Sequence, residues 1–321
     1  MKIKFIASLL ALMLCIAASF CFSVPAAVAE DVRVAVVVSS SVNPYKEALE
    51  AYYDELRKRG LAFRSMEFFM DKSLDSGNIV SRIRAYKPAL IHSVGTDATR
   101  LIKESIKDVP VVFSMVLNPV AGGIIESMQA SGNNLTGASM DLPVSLQFSY
   151  IRKLKPATKK IGVIYSEKET GAVVREAKKY ARRIGLELVA EAVDGPQGVP
   201  RAINRLKRKV DFIWSVADGN VFTRETVREL LLVSLRRKLP LMGLSPAFVK
   251  AGALFSLSIY PDKVGRQAAG LTMDVLAGEK PSTIPITVPT DSELLVNKNT
   301  LKMLGLELSS SILKEAKIVG P

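Results

Sequence analysis

Short runs of β-branched residues alternate with amphipathic segments along most of the chain. Residues 34–38 predict a buried strand, and apolar residues then recur at helical spacing over residues 45–56. Asn43 is expected to cap this helix, and Gly60 is expected to end it. A second strand is predicted near residues 61–69. The pattern therefore begins with a strand–helix–strand unit.

The same succession recurs in the second half of the chain. Residues 161–165 predict a strand, and residues 172–184 predict a helix that ends at Gly185. The next strand–helix–strand unit also occurs twice, at residues 90–114 and at residues 212–245. Two such series predict an α/β protein with two Rossmann-like lobes, each built on a parallel sheet with helices on both faces.

The N-terminal residues have the pattern of an export signal. Two lysines precede an apolar run at residues 5–22, and the small residues that follow end in Ala27-Val28-Ala29. This pattern predicts a signal peptide over residues 1–29, cleaved after Ala29, and therefore a periplasmic protein. The alternative is a membrane anchor, because an apolar run of about 18 residues is near the lower limit for a span.

Cysteine and histidine are almost absent from the predicted mature chain. Cys15 and Cys21 both lie in the predicted signal, and His92, inside an apolar strand, is the one histidine. This composition excludes zinc sites built from histidine and cysteine and leaves at most one imidazole for a catalytic triad. His92 is expected to pack in the core. The sequence has neither a glycine-rich nucleotide-binding motif nor a G-x-S-x-G motif, so no catalytic residue, metal or cofactor is expected.

The chain is strongly basic, with 44 Lys and Arg residues against 31 Asp and Glu residues and a formal net charge of +13. Several basic residues share one predicted helix, namely Arg175, Lys178, Lys179, Arg182 and Arg183. There is no recognisable nucleic-acid-binding motif, so no nucleic-acid partner is expected. Two interpretations stay open: a basic surface that meets anionic lipid or a partner, and charge that only keeps the protein in solution.

Polar residues cluster in the loops that follow the predicted strands. In open parallel sheets, ligands bind outside the carboxyl ends of the strands, and helix N-terminal amides at that edge bind anions. The candidate ligand-binding residues at these positions are Ser40, Ser41, Tyr45, Gly95, Thr96, Asp97, Ser114, Asn118, Thr136, Tyr165, Ser166, Asp218 and Ser245.

Each candidate also has a structural interpretation. The serines and Thr96 suit helix or turn caps, and Tyr45 is spaced to pack against Leu49. Asp218 is the candidate partner of a ligand ammonium group, or else the cap of a helix that begins near Phe222.

Several short motifs occur in one order along the predicted mature chain. They are residues 34–38 with Asn43-Pro44-Tyr45, Gly95-Thr96 with Ala98, residues 109–114 with Asn118-Pro119-Val120, residues 133–137, residues 160–165, and residues 276–281 with 284–286. Through these motifs the chain resembles the bacterial ABC transporter substrate-binding proteins of the tryptophan/tyrosine type. Asn118 departs from the family, which commonly has Asp before this proline, and the departure changes the charge expected at that position.

The resemblance implies a periplasmic-binding-protein type I fold whose lobes close on a small molecule by rigid-body movement. The chain would cross between the lobes three times, with residues 30–142 and 258–289 in lobe one and residues 143–257 and 290–321 in lobe two. The ligand would be an amino acid or a related metabolite, delivered to an ABC permease in the inner membrane, and no enzymatic activity is implied. The alternatives are a ligand-sensing protein that signals to a membrane partner and, less favoured, an exported α/β enzyme.

Overall fold

Two β-sheets organise the protein in the computed structural model, which describes residues 31–71 and 75–320. The predicted signal peptide, residues 1–29, lies outside the described residues, so its cleavage after Ala29 stays a prediction. No helix within the described ranges is both long enough and apolar enough to cross a membrane.

The first sheet has five parallel strands in the order β2-β1-β3-β4-β5. The strands are β1 (Val32–Val38), β2 (Phe63–Phe69), β3 (Leu90–Val94), β4 (Val111–Val116) and β5 (Leu135–Ser139). The helices that connect the first four strands are α1 (Asn43–Lys58), α2 (Ser76–Tyr86) and α3 (Thr96–Ser105).

The second sheet has seven strands in the order β12-β11-β10-β9-β8-β6-β7. The strands are β6 (Lys160–Tyr165), β7 (Glu187–Ala192), β8 (Phe212–Trp214), β9 (Leu241–Gly243), β10 (Phe255–Ser258), β11 (Glu293–Asn297) and β12 (Lys317–Val319). Its helices are α4 (Val144–Leu154), α5 (Glu167–Arg183), α6 (Val199–Leu206), α7 (Arg224–Arg237) and α8 (Pro246–Lys250), followed near the C-terminus by α10 (Lys298–Leu304) and α11 (Ser310–Glu315). All strand pairs are parallel except β10–β11, which the sequence pattern did not predict.

The chain passes between the two sheets three times. After β5 it enters the second sheet, and after β10 the helix α9 (Pro261–Leu276) returns to pack against α1, β4 and β5. A single parallel bridge joins Ala138 to Thr287 before the chain goes back to β11. The predicted α/β fold with two sheets of mostly parallel strands is therefore confirmed.

The contact between α1 and α9 depends on a glycine. A Cβ atom added at Gly265 would overlap the carbonyl oxygen of Ala48, so the two helix backbones can approach this closely only with glycine there. Beside this contact, the Tyr52 hydroxyl is 3.1 Å from the Thr272 hydroxyl. These contacts hold the returning helix on the first sheet.

Residues 34–38 of β1 show why this part of the strand is apolar at every position. Val34, Val36 and Val38 pack in the cluster beneath α1 and α9, whereas Ala35 and Val37 pack in the cluster that includes α2 and α3. Since both faces of a parallel sheet are covered by helices, its strands are continuous apolar runs.

Two predicted helix starts were wrong. The N-cap of α1 is Val42, so Asn43 lies inside the helix and does not cap it. Helix α5 begins at Glu167 after the N-cap Ser166, five residues before its predicted start. Its first turn is acidic and polar, which suits a helix N-terminus but has no apolar periodicity for a sequence to reveal.

Candidate functional site

The carboxyl ends of three adjacent strands place the predicted loops of the first sheet side by side. Val38, Val94 and Ser114 are in register across β1, β3 and β4. The Ser39 amide donates to the Val94 carbonyl at 2.9 Å, and the Gly95 amide donates to the Ser114 carbonyl at 2.9 Å. The loops after these strands therefore form one continuous edge.

The serines after β1 differ in what their hydroxyls contact. The Ser39 hydroxyl accepts a hydrogen bond from the Ala98 amide at 3.0 Å and so caps α3 from a neighbouring strand. Ser41 donates twice to the Asp71 carboxylate, from its amide at 2.6 Å and from its hydroxyl at 3.0 Å. Ser40 is half-buried, and its hydroxyl makes no hydrogen bond to any described residue. Of the two predicted serines, Ser40 thus keeps a donor available and Ser41 has a structural partner.

Gly95 and Tyr45 meet at the start of α3. Gly95 has a φ of +90°, and a Cβ atom there would lie 2.6 Å from the Ser39 hydroxyl oxygen and 2.9 Å from the Tyr45 ring. Tyr45 is half-buried, and burial raises the pKa of its hydroxyl, with the nearby Asp97 carboxylate adding to the effect. The glycine therefore lets the tyrosine ring lie directly on the helix start.

Two of the first four backbone amides of α3 already have acceptors, and two do not. The Ala98 amide is used by Ser39, and the Thr99 amide donates to the Gly95 carbonyl at 3.2 Å. The amides of Thr96 and Asp97 have no acceptor among the residues that the structure describes. Thr96 is half-buried, while the Asp97 side chain is exposed and lies 3.6 Å from Arg100. Free amides at a helix N-terminus suit a carboxylate or another small anion.

The loop after β4 reaches toward the second sheet. Met115 and Asn118 have φ values of +58° and +49°, and the β4–β5 register shifts between Ser114 and Val116. The Asn118 side-chain amide is 3.5 Å from the carbonyl oxygen of Ala217, which follows β8. Among the predicted residues, Asn118 thus bridges the edges of the two sheets.

Asp141, which the sequence analysis did not select, supports this loop. Its carboxylate accepts hydrogen bonds from the Asn118 amide at 2.9 Å and from the Ser139 hydroxyl at 2.9 Å. It is half-buried, and burial raises the pKa of its carboxyl despite these two hydrogen bonds. Asp141 follows β5 as the chain leaves the first sheet, so the rule that selected the other candidates, a polar residue after a strand, applied to it as well.

Two predicted residues have side chains that are buried in the interior and do not face this edge. The Ser114 side chain is fully buried, and its hydroxyl donates to Nε2 of His92 at 3.3 Å. Thr136 is also fully buried and donates to the Ile284 carbonyl at 3.2 Å. Both side chains have partners in the interior, and neither hydroxyl is available at the edge.

His92 is the core residue that its sequence context predicted. Its ring stacks on Tyr52 with centroids 3.9 Å apart, and its Nδ1 lies 2.9 Å from the Val112 carbonyl. A carbonyl only accepts, so Nδ1 carries the proton and Nε2 accepts from Ser114. Burial lowers the pKa of His92 to about 4. This serine–histidine pair is closed to solvent, so it offers no nucleophile to a substrate.

The second sheet's edge is organised around Asp218. Its carboxylate accepts from the Ser166 amide at 2.7 Å, from the Ser166 hydroxyl, from the Thr170 hydroxyl at 2.6 Å and from the Asn220 amide at 3.1 Å. Asp218 is 2% exposed. The structure thus gives Asp218 and Ser166 a joint structural role, and a ligand contact by either residue stays a prediction. Asp218 does not cap the following helix, because Thr223 caps α7.

Glu169 extends this network. It lies in the first turn of α5, and its carboxylate accepts from the Gly219 amide at 2.6 Å and from the Asn220 side chain at 2.7 Å. The remaining candidates of this edge, Tyr165 and Ser245, are both half-buried. Tyr165 packs against the core of the second sheet, and Ser245 is the N-cap of α8 without a side-chain capping bond.

The chemistry of these edges is that of binding through amides, hydroxyls and carboxylates. No three His, Cys, Asp or Glu side chains within residues 31–71 and 75–320 are grouped as a metal site. The edges therefore provide hydrogen-bond donors on the first sheet and a buried acceptor network on the second.

Comparison with known proteins gives these edges a context. A tyrosine-binding protein of Clostridioides difficile (strain R20291) is 28% identical over 243 residues, which are 75% of this chain and 70% of that protein. The ABC domain from Streptococcus pneumoniae in complex with L-Trp is 24% identical, with a TM-score of 0.61 over 90% of this chain and 100% of that one. The ligand-free, open structure of a Clostridium difficile substrate binding protein with adhesive properties is 22% identical, with a TM-score of 0.72 over 89% and 98%.

The solved structures establish similarity of fold, and the family assignment has separate support. The model of the family described as ABC transporter substrate binding protein matches residues 32–319, which is nearly the whole described chain. The chain belongs to the ABC transporter substrate binding protein family.

Proposed function

We propose that this protein is the exported solute-binding component of an ABC importer and that it binds an amino acid between two lobes. Proteins of this family bind small-molecule ligands, work with an ABC permease, are exported and are not enzymes. The observation that carries the proposal for this chain is the start of α3, where the Thr96 and Asp97 amides face no acceptor beside the Tyr45 ring.

The start of α3 suits the carboxylate of an amino acid. Two backbone amides and the positive end of the helix dipole favour a negative group at this point. The Thr96 hydroxyl and the Ser40 hydroxyl lie on the same edge as further donors. These amides and hydroxyls could therefore hold a ligand carboxylate without a basic side chain.

Exposed apolar side chains on the same edge suit an apolar ligand side chain. Val42 is 49% exposed before α1, and Leu117 is 40% exposed after β4. Together with the half-buried Tyr45 ring, which lies at the start of α3, they are apolar groups near the carboxyl ends of β1 and β4. The tyrosine-binding relative and the L-Trp-bound structure support aromatic amino acids as the ligands to test first.

The two lobes follow the two sheets. Lobe one would contain residues 30–142 and 258–289, because α9 packs on the first sheet. Lobe two would contain residues 143–257 and 290–321, because β11 and β12 pair in the second sheet. The hydrogen bond from Asn118 to the Ala217 carbonyl joins the two edges, and closure around a ligand would bring these edges together.

A thermal-shift panel tests the proposed ligand. Because a ligand that binds only the folded state stabilises it by mass action, L-tyrosine and L-tryptophan are expected to raise the melting temperature. Tyramine keeps the ring and the amine of tyrosine but lacks its carboxylate, so it is expected to have no comparable effect. A protein that no amino acid stabilises would contradict the proposal. The mature N-terminus, expected at Glu30, is checked by N-terminal sequencing of the exported protein.

A further inference from the structure

The edge of the second sheet opposite its candidate ligand-binding edge gathers four connecting segments. In parallel α/β sheets, the helices run against the strands, so helix C-termini and strand N-termini share one edge. Strands β9, β8, β6 and β7 are adjacent, and each follows the C-terminal end of a helix. Helix α7 precedes β9, α6 precedes β8, α4 precedes β6 and α5 precedes β7. These connections bring distant parts of the chain to one surface.

The four segments are strongly basic. We name them together the basic edge, which consists of residues 155–160, 182–187, 207–211 and 236–240. They contain eleven lysines and arginines but only two acidic residues, Glu187 and Asp211. The apolar residues just before the strands, Leu186, Val210 and Leu239, are buried, and the basic side chains are mostly exposed.

The two acidic residues neutralise little of this charge. Glu187 pairs with Lys160 at 3.0 Å, and the half-buried Asp211 accepts from the backbone amides of Lys159 and Lys160 at 2.8 Å. Eight exposed basic residues of the edge form no ion pair within the described chain, namely Lys159, Arg182, Arg183, Arg208, Lys209, Arg236, Arg237 and Lys238. A concentrated positive field therefore faces solvent here.

The corresponding edge of the first sheet shows that this excess is not required by the fold. Cations near helix C-termini are favourable in general, because they interact with the helix dipole. In the first sheet three arginines near helix ends have acidic partners, which are Asp54 for Arg57 at 3.0 Å, Glu55 for Arg59 at 2.8 Å and Asp108 for Arg84 at 3.8 Å. The lysines of that edge, Lys58, Lys87 and Lys107, form no ion pair with a described residue. The connecting segments of the first sheet, residues 57–62, 84–89 and 105–110, contain six lysines and arginines, against eleven in the basic edge. The same architecture thus carries fewer basic residues on the first sheet than on the second.

We propose that the basic edge binds the surface of an anionic phospholipid bilayer. An anionic bilayer attracts clusters of Lys and Arg without requiring a shaped pocket, and the attraction extends over about one Debye length. The long side chains are spread over helix ends on both faces of the sheet, which suits a flat, extended anionic surface. No aromatic side chain in the four segments offers stacking to nucleic-acid bases. The opposite edge, with the candidate ligand-binding residues, would stay accessible on the bound protein.

Vesicle sedimentation tests the proposal on the exported protein, after its N-terminus has been verified. The probes are phosphatidylcholine vesicles with and without one third phosphatidylglycerol, at low and at high salt. The basic-edge variant combines Lys209→Glu, Arg236→Glu and Lys238→Glu. The matched control combines Lys58→Glu, Lys87→Glu and Lys107→Glu at the first sheet's edge, which changes the net charge equally. All six residues are exposed, and each triple variant includes one helix C-cap lysine of left-handed conformation, Lys238 or Lys87.

The unmodified protein is expected to bind the anionic vesicles in a salt-sensitive way. The basic-edge variant should bind them at least tenfold more weakly, and the control variant should bind within about threefold of the unmodified protein. Circular dichroism and thermal melting verify that both variants are folded. The proposal is overturned if the unmodified protein does not bind, or if both variants lose binding equally, because net charge alone would then explain the effect. Binding to soluble heparin without binding to vesicles would also overturn it and would indicate a soluble polyanionic partner. The affinities of the same variants for L-tyrosine and L-tryptophan are measured as well. A failure of vesicle binding can then be distinguished from a failure of the proposed amino-acid binding.

Discussion

The Asp218 carboxylate and the Ser166 backbone amide, 52 residues apart, are joined by a hydrogen bond of 2.7 Å that connects the ends of β8 and β6. The same carboxylate also receives the hydroxyls of Ser166 and Thr170. This arrangement uses the lone pairs of a buried charge for holding two loops together. The role that the structure shows for Asp218 is therefore to join the loops after β6 and β8.

Replacing Asp218 by Asn should therefore destabilise the protein without any ligand. The new amide nitrogen would face the donors of Ser166 and Thr170 and could accept from neither. Buried hydrogen bonds to charged groups contribute about 1.5–3 kcal/mol each, so a loss of about 2–4 kcal/mol is expected in urea unfolding. Ser40→Ala, at a hydroxyl without a protein partner, is the control and should change stability by less than about 0.5 kcal/mol. Unchanged stability in Asp218→Asn with reduced ligand affinity would restore the ligand-binding interpretation.

The Gly95→Ala variant tests the close contact at the start of α3. The new Cβ atom would lie 2.6 Å from the Ser39 hydroxyl oxygen, at a φ of +90° that L-residues disfavour. Strain of this kind costs about 1–3 kcal/mol before the overlap is counted. Gly185→Ala is the control, because its φ of +73° is also unfavourable but no atom lies within 4 Å of the new Cβ. Equal losses of unfolding free energy in the two variants would show that the contact with Ser39 and Tyr45 is unimportant.

Much of the fold could be predicted because it depends on local pattern. The continuous apolar run of β1 and the amphipathic helix after it follow from burial on both faces of a parallel sheet. The antiparallel strand β11 was not predicted, because strand direction depends on the path of α9 between the sheets. Periodicity alone contains no information about that path.

The site was harder to predict because its contacts join distant residues. A polar residue after a strand is visible in the sequence, and this rule selected Thr96, Asn118 and Asp218 as candidates, whose ligand contacts stay predictions. It could not distinguish an available hydroxyl from one with a partner, since the partner of Ser41 is Asp71, which follows β2. Asp141 also follows a strand, β5, and supports the Asn118 loop through hydrogen bonds from the Asn118 amide and the Ser139 hydroxyl.

Titration of His92 should make stability fall in mild acid. Burial lowers the pKa of the folded-state imidazole to about 4, compared with about 6.5 in an unfolded chain. Between these two values the unfolded state binds more protons, so stability that is fully present above pH 6.5 is lost as the pH falls toward 4. From pH 7 to pH 4.5 this loss should be about 2–3 kcal/mol in urea unfolding. The chain has one histidine, so His92→Gln should remove that part of the pH dependence. An unchanged pH dependence in the variant would contradict the assignment.

Asp141 should contribute a pH dependence of the opposite sign. Burial raises the pKa of its carboxyl above the usual 3.8, so the folded state binds the proton more readily than the unfolded state. The resulting stability is present at low pH and is lost as the pH rises through the raised pKa. The difference in unfolding free energy, Asp141→Asn minus the unmodified protein, should therefore be more positive at pH 7 than at pH 4, which means that the variant is relatively more stable at pH 7. A difference that is independent of pH, or that has the reverse trend, would show that the carboxyl is not desolvated in this way.

Thr96→Pro isolates one backbone donor of the proposed carboxylate site. Thr96 is the first residue of α3, where proline is compatible with a helix, and its amide has no acceptor within the described chain. The substitution should therefore leave the melting temperature of the free protein nearly unchanged while it removes an N–H from the proposed site. Thr96→Ala is the control, because it keeps the amide and removes only the side-chain hydroxyl.

Isothermal titration calorimetry of L-tyrosine and L-tryptophan against these proteins tests the central claim most directly. The account predicts that the unmodified protein binds at least one of the two and that Thr96→Pro weakens this binding at least tenfold, or about 1.4 kcal/mol. Thr96→Ala should weaken it less. No heat of binding with any amino acid, or equal affinity in the unmodified protein and Thr96→Pro, would contradict an amino-acid carboxylate held at the start of α3.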